Sequence, residues 1–289
     1  MPVIAVINRK GGSGKSTLAT HLATWLARQG AAVMLGDVDR QQSTRAWLKR
    51  RDAALPAIVP WAIDQRNVLK VPPGVTHVVL DTPGGMHGFE LAKVIMSTDA
   101  VVMPLCNSLF DRESAAACLA ELQALPRVAS GRCKLGIVGM RIDARTRAAQ
   151  TLEAWAQAQQ VPFIGFLREA QMYVRSLDSG QTLFDGPLPA DNADLHQWEP
   201  IVQWLQPLVG LPSQPPATAP APADAGGERI AAPRAASLMP AQEALVHGNR
   251  LSVFAPATPV AQPPTDGLSL PRHPGGLDHF AGPRSLLRH

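Results

Sequence analysis

A short segment near the start of the chain combines three glycines with a lysine and three hydroxyl side chains. Glycines let backbone N–H groups turn toward phosphate oxygens, and a helix N-terminus adds partial positive charge. Lys15 is spaced to reach β- and γ-phosphates, and the Ser16 hydroxyl is spaced to ligate Mg²⁺. The segment therefore predicts a nucleotide-binding loop, and its residues are Gly11, Gly12, Ser13, Gly14, Lys15, Ser16 and Thr17.

The loop departs from the usual phosphate-loop pattern at its first position. A glycine is expected there, but the chain has Arg9 followed by Lys10. The resulting pattern, Lys-Gly-Gly-x-Gly-Lys-[Ser/Thr], resembles the deviant Walker A motif of the ParA/MinD superfamily. The resemblance implies that Lys10 reaches across a homodimer to the phosphates held by the partner subunit. A cation in that position would stabilise the charge that develops during phosphoryl transfer.

An acidic segment follows the second predicted strand and resembles the first switch loop of ParA ATPases. It reads Asp37-Val38-Asp39-Arg40-Gln41-Gln42-Ser43, with Arg40 in place of the family's usual proline. The resemblance implies that Asp37 orders Mg²⁺ and its waters. Asp39 would position the attacking water as a weak general base. A helix-capping role for Asp39 or Ser43 is a compatible alternative.

A second acid ends another apolar run, Val78-Val79-Leu80-Asp81, and is followed by Thr82-Pro83-Gly84-Gly85. An acid at the carboxyl end of a buried strand is typical of a Walker B motif. Asp81 is therefore predicted to hold Mg²⁺ through water. The two glycines predict a loop that rearranges when the γ-phosphate is lost.

The resemblance continues along the chain. Asp111 to Ala116 follows a fifth strand as in small ParA proteins, and Arg168 to Gly180 resembles a late helix of ParF-type and carboxysome-positioning ATPases. Arg141 stands where the family contacts adenine. Groups of basic residues would join across the dimer into a DNA-binding face without sequence preference. The alternative for each of these residues is that it lies on a solvated surface without binding DNA. The basic residues are Arg45, Lys49, Arg50, Arg145, Arg147, Arg168 and Arg175, with Arg51 beside them.

These residues need a scaffold that brings several strand ends to one edge. From residue 2 to about 208, short apolar runs alternate with segments of helical period, which predicts an α/β fold with a doubly wound, mostly parallel sheet and helices on both faces. The predicted strands are 3–7, 32–36, 58–61, 77–80, 100–104, 135–140 and 162–165. The predicted helices are 15–29, 44–51, 88–96, 112–124, 147–159, 169–177 and 195–208.

Composition divides the chain into two parts. Of its 27 prolines, 14 lie between residues 210 and 289, where the sequence is rich in Pro, Ala and Gly. Such a composition is typical of a largely disordered tail. We therefore predict an ATPase domain over residues 1–209 and a tail over 210–289. Residues 240–254 hold several apolar side chains and are either a partner-binding motif or part of the same linker.

Several classes of protein do not fit this sequence. The three cysteines lack metal-ligand spacing, as do His21, His77 and His87, and no apolar stretch is long enough for a signal peptide or a membrane span. The net charge of +4 permits contact with a polyanion without requiring it. These features favour a cytoplasmic protein.

The resemblance implies an ATPase that forms a dimer around two Mg·ATP, binds nucleoid DNA and positions a cargo. Hydrolysis of ATP to ADP and phosphate would be slow and stimulated by a small adaptor of ParB, ParG or McdB type. The cargo would be a plasmid, a chromosomal locus, a carboxysome or another assembly. One alternative is a MinD-like ATPase at the membrane, but residues 277–289 are too broken by Pro and Gly for an amphipathic anchor. The other is a metabolic or accessory ATPase of the same fold.

Overall fold

A sheet of seven parallel strands forms the centre of the part of the chain that the structure describes. The structure is a computed structural model, and it describes residues 1–39, 41–62, 71–143, 145–186 and 192–211. The strands are β1 (Val3–Val6), β2 (Val33–Asp37), β3 (Ile58–Ala62), β4 (His77–Asp81), β5 (Ala100–Leu105), β6 (Lys134–Met140) and β7 (Phe163–Leu167). All seven coincide with predicted strands to within two residues at each end.

Within the same ranges the chain forms nine helices, which cover both faces of the sheet. They are α1 (Lys15–Arg28), α2 (Ser43–Leu48), α3 (Gly88–Ile95), α4 (Leu109–Ala124), α5 (Pro126–Ala129), α6 (Ala148–Ala158), α7 (Gln171–Asp178), α8 (Ala193–His196) and α9 (Glu199–Val209). Most of the predicted tail, including 240–254 and 277–289, lies outside the described residues.

The strands are apolar on both faces because each face packs against its own layer of helices. In β1, Ile4 and Val6 belong to a hydrophobic cluster that includes residues of α1, α2, α7 and α9, whereas Val3 and Ala5 belong to a second cluster with residues of α3, α4 and α6. A strand buried on one face would alternate apolar and polar residues. This confirms the predicted doubly wound fold.

The strand order β3-β2-β4-β1-β5-β6-β7 brings the acidic strand ends beside the glycine-rich loop. Asp37 at the end of β2 pairs in register with Asp81 at the end of β4, and Asp81 pairs with Val6 of β1. The loop leaves β1 just beyond Val6. In parallel sheets, ligands bind at this carboxyl edge where the strand order reverses.

The prediction of one continuous helix near the end of the domain was wrong. The segment 195–208 is divided between α8 and α9, with the second helix starting at Glu199. Pro200 stands in the first turn of α9. Proline is tolerated there because its missing N–H is not needed, but within a continuous helix its ring would clash with the carbonyl four residues earlier. The short α5 was not predicted, and α4 begins three residues before its predicted start.

A buried histidine joins α1 to the far end of the described chain. The His21 ring stacks on Trp198 at 5.1 Å between centroids. Its Nδ1 lies 2.8 Å from the Thr17 carbonyl, and its Nε2 accepts a hydrogen bond from the Leu183 amide at 3.4 Å. Burial lowers the pKa of His21 to about 4. The ring is therefore neutral at pH 7 and part of the core.

This burial predicts an acid-sensitive fold. Because the folded-state pKa lies below the unfolded value of 6.5, His21 favours folding fully above pH 6.5, and this contribution is lost as the pH falls toward 4. The loss amounts to roughly 3 kcal/mol. In His21→Phe, urea titrations between pH 7 and pH 4 should show a correspondingly smaller fall in the free energy of unfolding. The exposed control His196→Gln should behave as the wild type, and equal acid sensitivity of all three proteins would contradict the prediction.

Candidate nucleotide-binding site

The glycine-rich loop has a backbone shape that side chains would prevent. Gly12 and Gly14 have φ angles of 72° and 95°, in the region that favours glycine. A Cβ atom on Gly14 would lie 2.6 Å from the Cε atom of Met140. No acidic residue and no side-chain cap occupies the first turn of α1. The helix therefore leaves its first N–H groups available to an anion.

Lys15 opens α1 and points back over the loop. Its side chain is buried, and its Nζ donates a hydrogen bond to the Lys10 carbonyl at 3.0 Å. Burial lowers the pKa of Lys15, while the carboxylates of Asp81 and Asp39 act in the opposite direction. A desolvated ammonium beside free N–H groups is well suited to bind phosphate oxygens.

Two polar side chains in the same place are buried without hydrogen-bond partners. The atoms concerned are the hydroxyl of Ser13 and both carboxylate oxygens of Asp81. Burial raises the pKa of Asp81 to about 7, against the influence of the Ser16 hydroxyl and the Lys15 ammonium. Unpaired buried polar atoms are costly and call for a ligand.

These residues fit Mg²⁺ with a nucleotide. A phosphate oxygen would pair with Ser13, and a hydrated cation would neutralise Asp81. In the ranges the structure describes, no group of three or more His, Cys, Asp or Glu side chains is arranged to hold a metal ion by itself. The donors present, Asp81 and the Ser16 hydroxyl, would hold the ion together with phosphate oxygens.

Asp37 has a different environment from Asp81 although the two are register partners. Its Oδ2 accepts hydrogen bonds from the Thr44 amide at 3.0 Å, the Thr44 hydroxyl at 2.8 Å and the Arg45 amide at 3.2 Å. Its Oδ1 accepts one from the Asp39 amide at 3.1 Å. Asp37 thus anchors the first turn of α2 from the strand end, and any contact with Mg²⁺ would be made by a carboxylate already held in place.

Asp39, two residues beyond Asp37, is half-buried. Its Oδ1 accepts a hydrogen bond from the Gln41 amide at 3.0 Å, which closes a turn. The residue at the N-terminus of α2 is Gln42, with φ 52° and no side-chain cap. Neither Asp39 nor Ser43 caps α2, because Asp37 supplies the carboxylate that bonds its first amides.

The second glycine segment packs directly on the phosphate loop. The Gly85 amide donates to the Arg9 carbonyl at 2.6 Å. A Cβ on Gly84 would approach both that carbonyl and the Gly11 amide to 3.3 Å. Glu121 of α4 accepts hydrogen bonds from the Arg9 guanidinium and the Gly88 amide. A shift of either loop would therefore displace the contacts that hold the other.

Lys10 and Arg141 flank the loop on different elements. The Lys10 ammonium forms an ion pair with Asp111 of α4 at 2.6 Å. Arg141 follows β6, is exposed and has a φ of 56°. The side chain of the preceding residue, Met140, lies close to Gly14, so the end of β6 is beside the phosphate loop.

The candidate DNA-binding residues have unequal surroundings. Arg145 pairs with Asp143, Arg168 pairs with Asp194, and Arg51 is buried in an ion pair with Asp185. The structure therefore removes Arg51 from the exposed group in which the sequence placed it. The exposed residues without a carboxylate partner among the described residues are Arg45, Lys49, Arg50, Arg147 and Arg175.

Comparison with known families agrees with this geometry. The model of the CobQ/CobB/MinD/ParA nucleotide-binding domain matches residues 4–183. The chain belongs to this family. The matched residues include the phosphate loop, both acidic segments, all but the first residue of β1, and the whole of β2 to β7.

Two curated proteins of known role are similar in sequence to this ParA/MinD chain. It is 38% identical over 104 residues to a maintenance of carboxysome distribution protein A from Gloeobacter kilaueensis, a match that covers 35% of this chain and 48% of that protein. It is 29% identical over 189 residues to the chromosome-partitioning ATPase Soj of Thermus thermophilus, covering 54% of this chain and 75% of Soj. The chain thus spans about half the length of the first relative.

Solved structures show the same ParA/MinD fold. The ATP complex of Cyanothece McdA covers 73% of this chain and 97% of its own, with a TM-score of 0.57 and 17% identity. MinD of Aquifex aeolicus covers 70% and 97%, with a TM-score of 0.56 and 18% identity. At these identities the likeness concerns the fold alone. None of the helices described is long and apolar enough to cross a membrane.

Three residues that contact the site were not predicted as part of it. Asn8 accepts a hydrogen bond from the Lys10 amide, Asp111 holds the Lys10 side chain, and Glu121 joins the two loops. Asp111 and Glu121 lie about a hundred residues from the loop in sequence. The spacing of Ser108 and Asp111 gave a local signal, since a serine followed three residues later by an acid is typical of a helix start. This spacing predicts the start of a helix but does not predict that Asp111 contacts Lys10.

Proposed function

We propose that the chain is a ParA-type ATPase that dimerises around two Mg·ATP, binds nucleoid DNA without sequence preference and positions a cargo. The observation that carries this proposal is the unpaired, buried Asp81 carboxylate beside Lys15 and a glycine-rich loop. A nucleoside triphosphate with Mg²⁺ supplies the missing partners for all of these groups.

In the proposed reaction the chain mainly positions groups. The loop amides and Lys15 hold the phosphates, and Ser16 and Asp81 orient the cation, which when bound neutralises developing phosphate charge. Asp39 accepts a hydrogen bond from the attacking water, while Asp37 keeps the first turn of α2 in place. Lys10 of a second subunit would reach the same phosphates. A weak base favours slow hydrolysis.

The surface beside Lys10 supports dimerisation. Leu109 and Phe110 precede Asp111 at the start of α4, and their exposed fractions are 57% and 73%. Large exposed apolar side chains often mark a contact with another molecule. A second copy closing on the nucleotide would cover them together with Lys10.

Hydrolysis is tested by Asp39→Ala. Because Asp39 is expected to orient the attacking water and not to bind phosphate, ATP turnover should fall about 100-fold while ATP affinity stays within about threefold. Turnover assays and equilibrium nucleotide binding measure the two quantities. The matched control is Asp52→Ala, since the Asp52 carboxylate closes a similar turn with the Ala54 amide outside the proposed site. Unchanged turnover in Asp39→Ala would remove Asp39 from the proposed reaction.

The DNA surface is proposed at the junction of α2 and α7. A Cβ on Gly180, just beyond α7, would overlap the Arg50 carbonyl, so the ends of the two helices meet. Lys49 and Arg50 on one side and Arg175 on the other are exposed there. Cations that are not paired with nearby carboxylates are the ones available to phosphates.

Replacing Lys49, Arg50 and Arg175 together by alanine should weaken ATP-dependent binding to duplex DNA at least tenfold. The slope of log affinity against log salt should fall by about 0.9 for each phosphate that the variant no longer neutralises. Fluorescence anisotropy over a salt series measures both. Arg145→Ala, which removes a cation already paired with Asp143, serves as the control. If the control loses as much affinity as the triple variant, DNA binds elsewhere.

The remaining part of the proposal concerns location and partners. The relatives' names refer to carboxysome distribution and chromosome partitioning, and we propose a corresponding role in positioning a cargo. The chain would be cytoplasmic and nucleoid-associated without stable membrane contact. A small adaptor of ParB, ParG or McdB type would stimulate hydrolysis. Imaging a tagged protein with and without its genetic neighbours tests this, since membrane-pole localisation would contradict it.

A further inference from the structure

Thr44, in the first turn of α2, holds a buried carboxylate with two donors at once. Its amide and its hydroxyl donate to Oδ2 of Asp37 at 3.0 and 2.8 Å. Thr44 is 1% exposed and Asp37 is 2% exposed, so solvent has little access to these bonds. Hydrogen bonds to a charged acceptor are shorter and stronger than those between neutral groups. The Thr44 hydroxyl therefore fixes the orientation of the Asp37 carboxylate.

The other oxygen of Asp37 carries this constraint to Asp39. Oδ1 of Asp37 accepts a hydrogen bond from the Asp39 amide at 3.1 Å. Because the two oxygens of a carboxylate lie in one rigid plane, a rotation that releases Oδ2 also moves Oδ1. Asp37 thus connects Thr44, which lies in a helix, to Asp39, which lies in the preceding loop.

Asp39 is tied into this loop by its backbone and by one carboxylate oxygen. Its carbonyl accepts a hydrogen bond from the Gln42 amide at 3.1 Å, and its Oδ1 accepts one from the Gln41 amide at 3.0 Å. Its Oδ2 has no hydrogen-bond partner among the residues that the structure describes. That oxygen is available to a water molecule, and its position depends on the bonds that hold the rest of Asp39.

We propose that Thr44 is a positioning residue for ATP hydrolysis, which acts through Asp37 to place Oδ2 of Asp39 against the attacking water. This inference rests on the proposed function, in which Asp39 is the weak base. A displacement of about 1 Å can lower the rate of a reaction by as much as about 100-fold. Because Thr44 is buried and its hydroxyl bonds Asp37, it has no group left for the nucleotide. Its loss therefore lowers turnover but not the affinity for ATP.

The test compares the full-length wild type with Thr44→Val and Thr44→Ser. Thr44→Val keeps the shape of the side chain and the amide donor but removes the hydroxyl, so ATP turnover should fall about tenfold while ATP affinity stays within about twofold. Thr44→Ser restores the hydroxyl, and its turnover should lie within about threefold of the wild type. Turnover assays and equilibrium nucleotide binding measure these quantities. Wild-type turnover in Thr44→Val, or a Thr44→Ser as slow as Thr44→Val, would overturn the inference.

Thr182 provides a matched control for a merely structural effect. Its amide and hydroxyl also donate to one oxygen of a buried carboxylate, Oδ2 of Asp185, at 2.9 and 3.1 Å. Thr182→Val removes the same kind of bond outside the proposed site. It should lower stability in urea titrations about as much as Thr44→Val does, yet leave turnover unchanged. If Thr182→Val is as slow as Thr44→Val, the loss of turnover comes from the weakened fold and the inference is wrong.

Two further measurements follow the connection from Thr44 to Asp39. In an Asp39→Ala background, Thr44→Val should cause no further loss of turnover, because Thr44 acts through Asp39. A further tenfold loss would contradict this route. Without nucleotide, hydrogen exchange of the Asp39 amide should be several-fold faster in Thr44→Val than in the wild type and Thr44→Ser, and equal rates in all three would also contradict it. If Asp39→Ala alone leaves turnover unchanged, the proposed function is what fails.

Discussion

Replacing Lys15 with alanine is expected to lower the affinity for ATP at least 100-fold. The ammonium is buried at the start of α1, beside loop amides that have no side-chain cap. In this setting its charge-assisted hydrogen bonds to phosphate oxygens contribute about 1.5 to 3 kcal/mol each. Two such bonds removed together account for the expected change.

The loss of affinity can be separated from a loss of folding. Burial lowers the pKa of Lys15, which means that the charged side chain is held at a cost in the nucleotide-free protein. Lys15→Ala should therefore be at least as stable as the wild type in urea titrations without nucleotide. Isothermal titration calorimetry with Mg·ATP measures the affinity, with the exposed Lys134→Ala as control. An affinity within threefold of the wild type would overturn the phosphate-loop assignment.

Replacing Asp185 with alanine is expected to destabilise the fold by about 3 to 5 kcal/mol, because it leaves a buried arginine without its partner. The side chains of Arg51 and Asp185 are 5% and 0% exposed, and two nitrogens of Arg51 bond the two carboxylate oxygens at 2.8 and 2.9 Å. Asp185 also accepts hydrogen bonds from the amide and hydroxyl of Thr182. All of these donors would lose their acceptor.

The chain contains a matched exposed pair for comparison. Arg145 also bonds both oxygens of its partner Asp143, but the side chains are 89% and 46% exposed. Asp143→Ala should cost far less stability than Asp185→Ala, since water takes the place of the carboxylate oxygens. Urea unfolding at pH 7 measures both variants. Equal losses of stability in the two variants would mean that Arg51 is solvated after the substitution and that burial does not set the cost.

The Arg51 pair also connects the two helices of the proposed DNA surface. It joins the chain just after α2 to the segment that follows α7, and the Trp47 indole N–H bonds the Gln181 carbonyl beside it. The Leu183 amide in that segment bonds His21 of α1. The helix after the first acidic segment is thereby connected through protein contacts to the helix of the phosphate loop.

The sequence alone predicted the seven strands and most of the helices, and it identified the candidate phosphate loop, because these features depend on neighbours in the chain. Continuous apolar runs predicted the seven strands, and the period of α1 ended correctly at Gly30, where φ is 83° and the Ala31 amide bonds the Leu26 carbonyl. The glycines, Lys15 and Asp81 were identified from their spacing within single segments. A local pattern predicts a local structure.

Only the tertiary structure decided how the charged residues are used. The sequence presents the arginines as similar cations, yet Arg51 is buried with Asp185, Arg145 is paired on the surface, and Arg175 is exposed. The partners of Lys10 and Arg51 lie 101 and 134 residues away along the chain. Such pairs form because the sheet brings distant strand ends and helix starts to one edge. Their strength depends on burial, which sequence spacing does not specify.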